Sequence, residues 1–172
     1  MILDDLRKIM PYTAGHLDIF AQPLLEAMSE FEINTGRRRS AFIAQVAHES
    51  GELRYLREIG SGQAYEGRAD LGNTEPGDGP LYKGGGLLQI TGRANYSACG
   101  TALDVPLVGN PSLIETPAIA CRSAGWFWKT KGLNAAADLD YFGQITKTIN
   151  GGFNGLDNRL QYWLRARKTE GL

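Results

Sequence analysis

Residues 41–60 read AFIAQVAHESGELRYLREIG. Ala41, Phe42, Ile43, Ala44, Val46 and Ala47 leave the first half apolar on nearly every side, the mark of a buried helix. That helix runs into His48, Glu49 and Ser50, and a second glutamate, Glu58, follows nine residues after Glu49. On an unbroken helix nine residues rotate a side chain by about 900° and advance it roughly 13.5 Å, so the two carboxylates could not share a site. Gly51 offers a break directly after Glu49-Ser50, because glycine is a poor helix former with a free backbone. A chain that turns there brings Glu58 back across a cleft.

Two carboxylates in one cleft suit hydrolysis of a glycosidic bond, which needs an acid for the leaving oxygen and a base or nucleophile on the other face of the sugar. An apolar surround keeps a carboxylic acid protonated, and Glu49 stands at the end of the apolar helix. Glu58, beside Arg57 and ahead of a glycine-rich stretch, has the more solvated setting. The roles expected are Glu49 as acid and Glu58 as base. Spacing alone does not separate this pair from ordinary surface glutamates. Other chemistries fit less well. His48-Glu49 opens like HExxH, but residue 52 is Glu and the second histidine is His16, so zinc hydrolysis lacks its ligands. Lys83-Gly84-Gly85-Gly86 lacks the order of a phosphate-binding loop, and no GxSxG accompanies a histidine.

The rest of the chain frames this segment. Helices are expected over 2–10, 15–33, 37–50, 117–131, 138–149 and 156–168, with a short strand at 87–91 and an irregular glycine-rich middle at 60–86. Residues 126–128 (Trp-Phe-Trp) fall mid-helix and read as core. Together these describe one mainly α domain over 1–172 without linker or repeat. Acidic and basic residues number 19 and 18, a net charge of -1, which argues against a nucleic-acid binder. Residues 1–36 hold six acids against two bases, and 122–172 eight bases against four acids. The basic end reads as a solvated helix face. The amino terminus has acids where a secretion signal needs bases, and no segment is long enough for stable membrane insertion. Synthesis in a cytoplasm is expected, with Cys99 and Cys121 as free thiols.

AHESG at 47–51, YKGGGLLQITGRANY at 82–96 and NGGFNG at 150–155 together resemble the pattern of glycoside hydrolase family 19, which holds chitinases and phage endolysins. The resemblance covers 37–168 and is nearest the phage branch. It implies a lysozyme-like, mostly helical fold (the α+β lysozyme superfamily) with two lobes and a cleft, and an inverting mechanism. The general acid falls on Glu49, the base on Glu58 and the water-holding hydroxyl on Thr91. Tyr82, Gln89, Asn95 and Tyr96 are implied as cleft-lining residues, Asn150 as a substrate-binding asparagine and Arg68 as a partner of a catalytic carboxylate. Each has a plainer alternative: Tyr96 as core, Gln89 satisfying backbone groups, Arg68 in a surface ion pair. The family usually carries arginine where this chain has Gly85, so a cation beside the cleft is expected to be lost.

No cofactor or metal is implied. The partner expected is the peptidoglycan glycan strand, reached from the host cytoplasm through a holin, by a monomer without a separate wall-binding module. The alternatives are chitin as substrate, a lytic transglycosylase, which manages with one glutamate, and a wall-binding protein without catalysis.

Overall fold

A computed structural model describes residues 3–13 and 15–172, so Ile2, at the start of the first expected helix, lies outside the described residues. The chain forms α1 (Leu3–Ile9), α2 (His16–Glu30), α3 (Gly36–Glu49), α4 (Asp78–Leu81), α5 (Arg93–Leu103), α6 (Pro117–Thr130), α7 (Leu133–Asp138), α8 (Phe142–Asn150) and α9 (Leu156–Thr169). Helix α3 is the axis. Thr35 caps it, its hydroxyl accepting from Arg38 N at 3.2 Å, which satisfies one of the helix's free amides. Ser40 through Ala47 are all buried. Helix α9 packs along α3, and α2 along α6. Phe42 of α3 meets the edge of Trp128 of α6 at 5.3 Å, joining the two pairs in one core.

The helix expected over 138–149 starts only at Phe142, since Asp138 closes α7, a helix that was not expected. Asp140 adopts a left-handed conformation (φ 57°) between α7 and α8. Its carboxylate accepts from Arg167 Nη1 at 2.7 Å, and Arg38 grips Asp138 at 2.6 Å. Cations from α9 and α3 thus hold the chain where local pattern would have carried the helix through. Helix α5 was not expected, although Tyr96, Cys99, Gly100 and Leu103, its buried residues, stand at i, i+3, i+4 and i+7, the spacing of a helix face. Cys99 and Cys121 are buried free thiols, and burial pushes Cys99 up to about 12.

Residues 87–91 form a turn, with no strand. Gly85 and Ile90 exchange backbone hydrogen bonds at 3.0 and 2.8 Å, and Gly85 also bridges Arg57. Leu87 and Leu88 are both buried, and two successive inward side chains break the alternation of a strand. What remains is one rung across three chain segments, and it carries part of the site. The irregular stretch before it is anchored to α5 by a bidentate pair, Arg93 on Asp78 at 2.8 and 2.5 Å. Arg93 holds the Asp78 carboxyl below the usual carboxylate range.

Candidate active site

The bend after Glu49 is built by Ser50. Its hydroxyl donates to Val46 O at 2.6 Å and accepts from Leu53 N at 2.8 Å, while its carbonyl accepts from Arg54 N and Tyr55 N at 3.0 and 2.9 Å. Gly51, Glu52 and Leu53 all take positive φ, at 56°, 59° and 70°. Three left-handed residues in a row reverse the chain where helix would otherwise continue. Tyr55 is thereby bonded to the helix end, so only about three extended residues, roughly 10 Å, separate it from Glu58. The break anticipated at Gly51 is present and is wider than one residue.

Glu49 does not end in an apolar setting. Its carboxylate, 19% exposed, meets Arg159 of α9 at 2.5 Å, and Arg159 is 1% exposed. Arg159 donates to Gln45 Oε1 at 2.5 Å and to Asn154 O at 3.2 Å, and Gln45 donates to Thr146 Oγ1 at 2.9 Å. Next to Glu49, His48 Nδ1 is 2.7 Å from Asn158 Oδ1. Gly155 lies so close to this ring that a Cβ there would stand 2.3 Å from His48 Cε1. The 150–159 segment therefore docks on the end of α3 through a buried guanidinium. The expectation of an apolar wall around Glu49 is corrected: a buried charge is paired there because leaving it unpaired would be costly.

Glu58 sits on the single rung. Its backbone N donates to Gly84 O at 2.9 Å, and Gly84 N donates to its carboxylate at 3.1 Å. Tyr65 stands beside the same carboxylate, and burial together with the neighbouring Glu58 raises the phenol above its ordinary value. Gly84 is fully enclosed: a Cβ would lie 2.6 Å from Gln89 Oε1 and 3.2 Å from Glu58 Oε2. Gln89 and Glu58 therefore flank one glycine. Gln89 takes φ 53° and donates to Gly86 O at 3.1 Å, Thr91 Oγ1 donates to Gln89 O at 3.0 Å, and Asn95 donates to Thr91 O at 2.7 Å. Gln89, Thr91 and Asn95 line a cavity of about 330 Å³ whose other side holds Trp126 and Phe127. Of the three aromatic residues read as core, only Trp128 is fully buried.

The other motif residues divide. Asn150 ends α8, and its buried amide nitrogen has no acceptor, a donor that a ligand would satisfy. Tyr82 and Tyr96 are corrected to core: both are buried, and their hydroxyls donate to Val108 O and Lys83 O, both at 2.9 Å. Rings so enclosed present no face to a sugar. Arg68 is also corrected, since it pairs with exposed Asp70 at 2.6 Å and with neither glutamate. Gly85 faces inward, where a Cβ would lie 2.3 Å from the Tyr96 hydroxyl and 2.6 Å from Ile114 Cγ2. The cation of this rung is Arg57, bound to Glu115 at 3.1 Å and to Leu81 O at 2.9 Å. Arg159 and Tyr65 were missed. Arg159 was read only as part of a basic end, and Tyr65 meets Glu58 through a fold that local pattern does not describe.

The family model for glycoside hydrolase 19, described as class I chitinase, matches residues 27–162. An endochitinase of Arabidopsis thaliana is 35% identical over 163 residues, covering 88% of this chain and 56% of that protein. A glycosyl hydrolase family 19 domain-containing protein of Haemophilus influenzae is 35% identical over 118 residues, 66% of this chain and 54% of its own length. A solved bacterial family 19 chitinase shares the mainly helical fold, with a TM-score of 0.80 at 24% identity over 98% of this chain and 94% of that one. The chain spans about half the length of the curated relatives it matches. It belongs to glycoside hydrolase family 19.

Proposed function

We propose that this family 19 chain hydrolyses β-1,4 glycosidic bonds between N-acetylated sugars, with peptidoglycan glycan strands as substrate, in a phage or prophage endolysin. The observation that carries the chemistry is the contrast between the two carboxylates. Glu58 accepts from the Gly84 peptide N–H and stands beside the Tyr65 phenol, which aims it as a general base requires. Glu49 is presented at a helix end by a reversal that returns the chain toward it. In this reading Glu49 protonates the leaving oxygen, Glu58 takes the proton of the attacking water, and Thr91 steadies that water. An inverting pair needs roughly 6.5–9.5 Å between carboxyls to admit it. Asn150 and Gln89 bind sugar amide and hydroxyl groups.

Peptidoglycan is favoured over chitin by the likeness of the 110–139 stretch (NPSLIETPAIACRSAGWFWKTKGLNAAADL) to the phage branch. The enzyme then waits in the host cytoplasm and reaches the wall when a holin opens the inner membrane. Chitin is the second reading, favoured by the endochitinase names of the plant relatives. Mass spectrometry of borohydride-reduced products from purified Gram-negative sacculi tests both. Reduced muramic acid ends establish a muramidase and reduced glucosamine ends a glucosaminidase. Anhydro-muramic ends establish a transglycosylase and remove Glu58 from its role. Release of products from chitin oligomers alone moves the substrate to chitin.

A further inference from the structure

The reversal that joins the two glutamates also carries charge that no ion pair among the described residues takes up. Glu52 is 2% exposed, and its carboxylate is already occupied by Tyr12 N at 2.5 Å and the Tyr162 hydroxyl at 2.8 Å. Two arginines border it. Arg54 donates from Nε to Gly51 O at 2.7 Å, which fixes its guanidinium on the reversal itself, 5.8 Å from the centre of the Tyr55 ring. Arg165 of α9 stands 5.5 Å from the Tyr162 ring and donates to Ile9 O at 3.4 Å. Both arginines act on the Tyr162 hydroxyl, which burial, aided by Glu52, pushes up to about 12. Among the described residues neither arginine forms an ion pair. Beside Arg54 the Tyr55 ring is 49% exposed and braced against the backbone, for a Cβ on Gly51 would lie 2.7 Å from Tyr55 Cδ2.

The exposed part of the Tyr55 ring suits the apolar edge of a pyranose, and the guanidinium held over that ring suits a carboxylate, which it binds through two parallel hydrogen bonds. Chitin is neutral along its length. Peptidoglycan carries carboxylates on the lactyl groups or stem peptides of alternate sugars. We propose that Arg54, presented with Tyr55 on the segment between Glu49 and Glu58, is a specificity residue that selects carboxylate-bearing glycan over neutral glycan. The inference rests on the peptidoglycan reading and deepens it. Arg165 adds to the local field without touching the sugar, and Glu52 is too enclosed to compete for the ligand.

The full chain and its Arg54→Gln and Arg54→Lys variants are assayed on soluble peptide-bearing glycan strands and on chitin oligomers. The ratio of kcat/KM for strands over oligomers falls about tenfold in Arg54→Gln, mainly through KM, the size expected for one charge-assisted contact. Arg54→Lys keeps most of the ratio, and raising salt from about 0.02 to about 0.3 M erodes it in the unmodified chain more than in Arg54→Gln. Equal loss on both substrates, or no change in the ratio, overturns the inference. If the chain cleaves oligomers and no strands, the peptidoglycan reading itself fails. Calorimetric titration of Glu49→Gln and of Glu49→Gln with Arg54→Gln against peptide-bearing strands then decides the inference separately: equal affinities overturn it, and weaker binding by the double variant supports it.

Discussion

Glu49 and Glu58 are the same residue type nine positions apart, and the fold treats them in opposite ways. Glu49 belongs to the helical frame. It ends the most buried helix of the chain and is met by a guanidinium that is itself 1% exposed. Glu58 belongs to the turn-rich arm, held by one backbone rung and one peptide N–H with the Tyr65 phenol beside it. The frame places a side chain by packing, which tolerates little change in volume or charge. The arm places one by hydrogen bonds across glycines, which tolerates little added bulk. Substitutions of the residues that hold the two carboxylates should therefore fail differently, those around Glu49 in stability and those around Glu58 in turnover.

The largest effects test the carboxylates themselves. Glu49→Gln and Glu58→Gln are each expected to reduce kcat on sacculi by about 10²–10⁴, the range for general acid–base groups, with the fold retained by circular dichroism. Substantial turnover by Glu58→Gln would break the comparison and leave a one-glutamate transglycosylase. Arg159→Ala comes next and reads out in stability. Removing one partner of a buried pair costs about 3–5 kcal/mol, and at this chain length that lowers the melting temperature by roughly 6–20 °C. A drop of only a degree or two would mean that solvent already compensates Glu49.

Gly84→Ala should reverse that pattern. The added Cβ meets Gln89 and the Glu58 carboxylate, and a displacement near 1 Å at a reacting group costs about 10² in rate. The melting temperature is expected to move far less than in Arg159→Ala. If stability collapses instead, the rung is part of the frame. Tyr65→Phe is milder. It removes the hydroxyl beside Glu58, and a polar contact worth about 1 kcal/mol would be roughly fivefold in kcat, with KM unchanged.

How much of this could be read beforehand follows the same division. Frame helices announce themselves because Phe20, Leu24 and Met28, or Phe42, Val46 and their neighbours, repeat at the helical period. Gly51 announced the bend because glycine has few other reasons to follow a buried helix. The motif spacing placed Thr91, Gln89 and Asn95 around one cavity. The arrangement at Glu49 was not legible, since Arg159 lies 110 residues away in sequence and looks like any basic residue of an amphipathic helix. Tyr82 and Tyr96 misled for a related reason: a tyrosine in a sugar-binding motif reads as a platform until its hydroxyl is seen donating to a carbonyl inside the core. Asp140 hid a chain break because its left-handed turn is held from outside the segment.

The smallest effect sharpens the comparison from the far end of α3. Arg39 holds the Glu170 carboxyl below its ordinary value, and Arg38 does the same for Asp138. A carboxyl depressed in the folded state adds stability above its unfolded value of about 4, and that contribution is lost as pH falls through the lower folded value. The guanidinium of each pair is about a quarter exposed, 24% and 25%, and solvent screening there limits each pair to about 1 kcal/mol. Arg39→Gln should therefore melt slightly below the unmodified chain at pH near 7, and the two curves should converge as acidification takes the Glu170 carboxyl through its lowered folded value. A gap that persists unchanged at low pH would assign the effect of Arg39 to packing of its aliphatic stem. Convergence would show that the frame carries its own acid-sensitive clamps, at the end of α3 opposite Glu49, so that acid loosens the helical frame at a distance from the two glutamates.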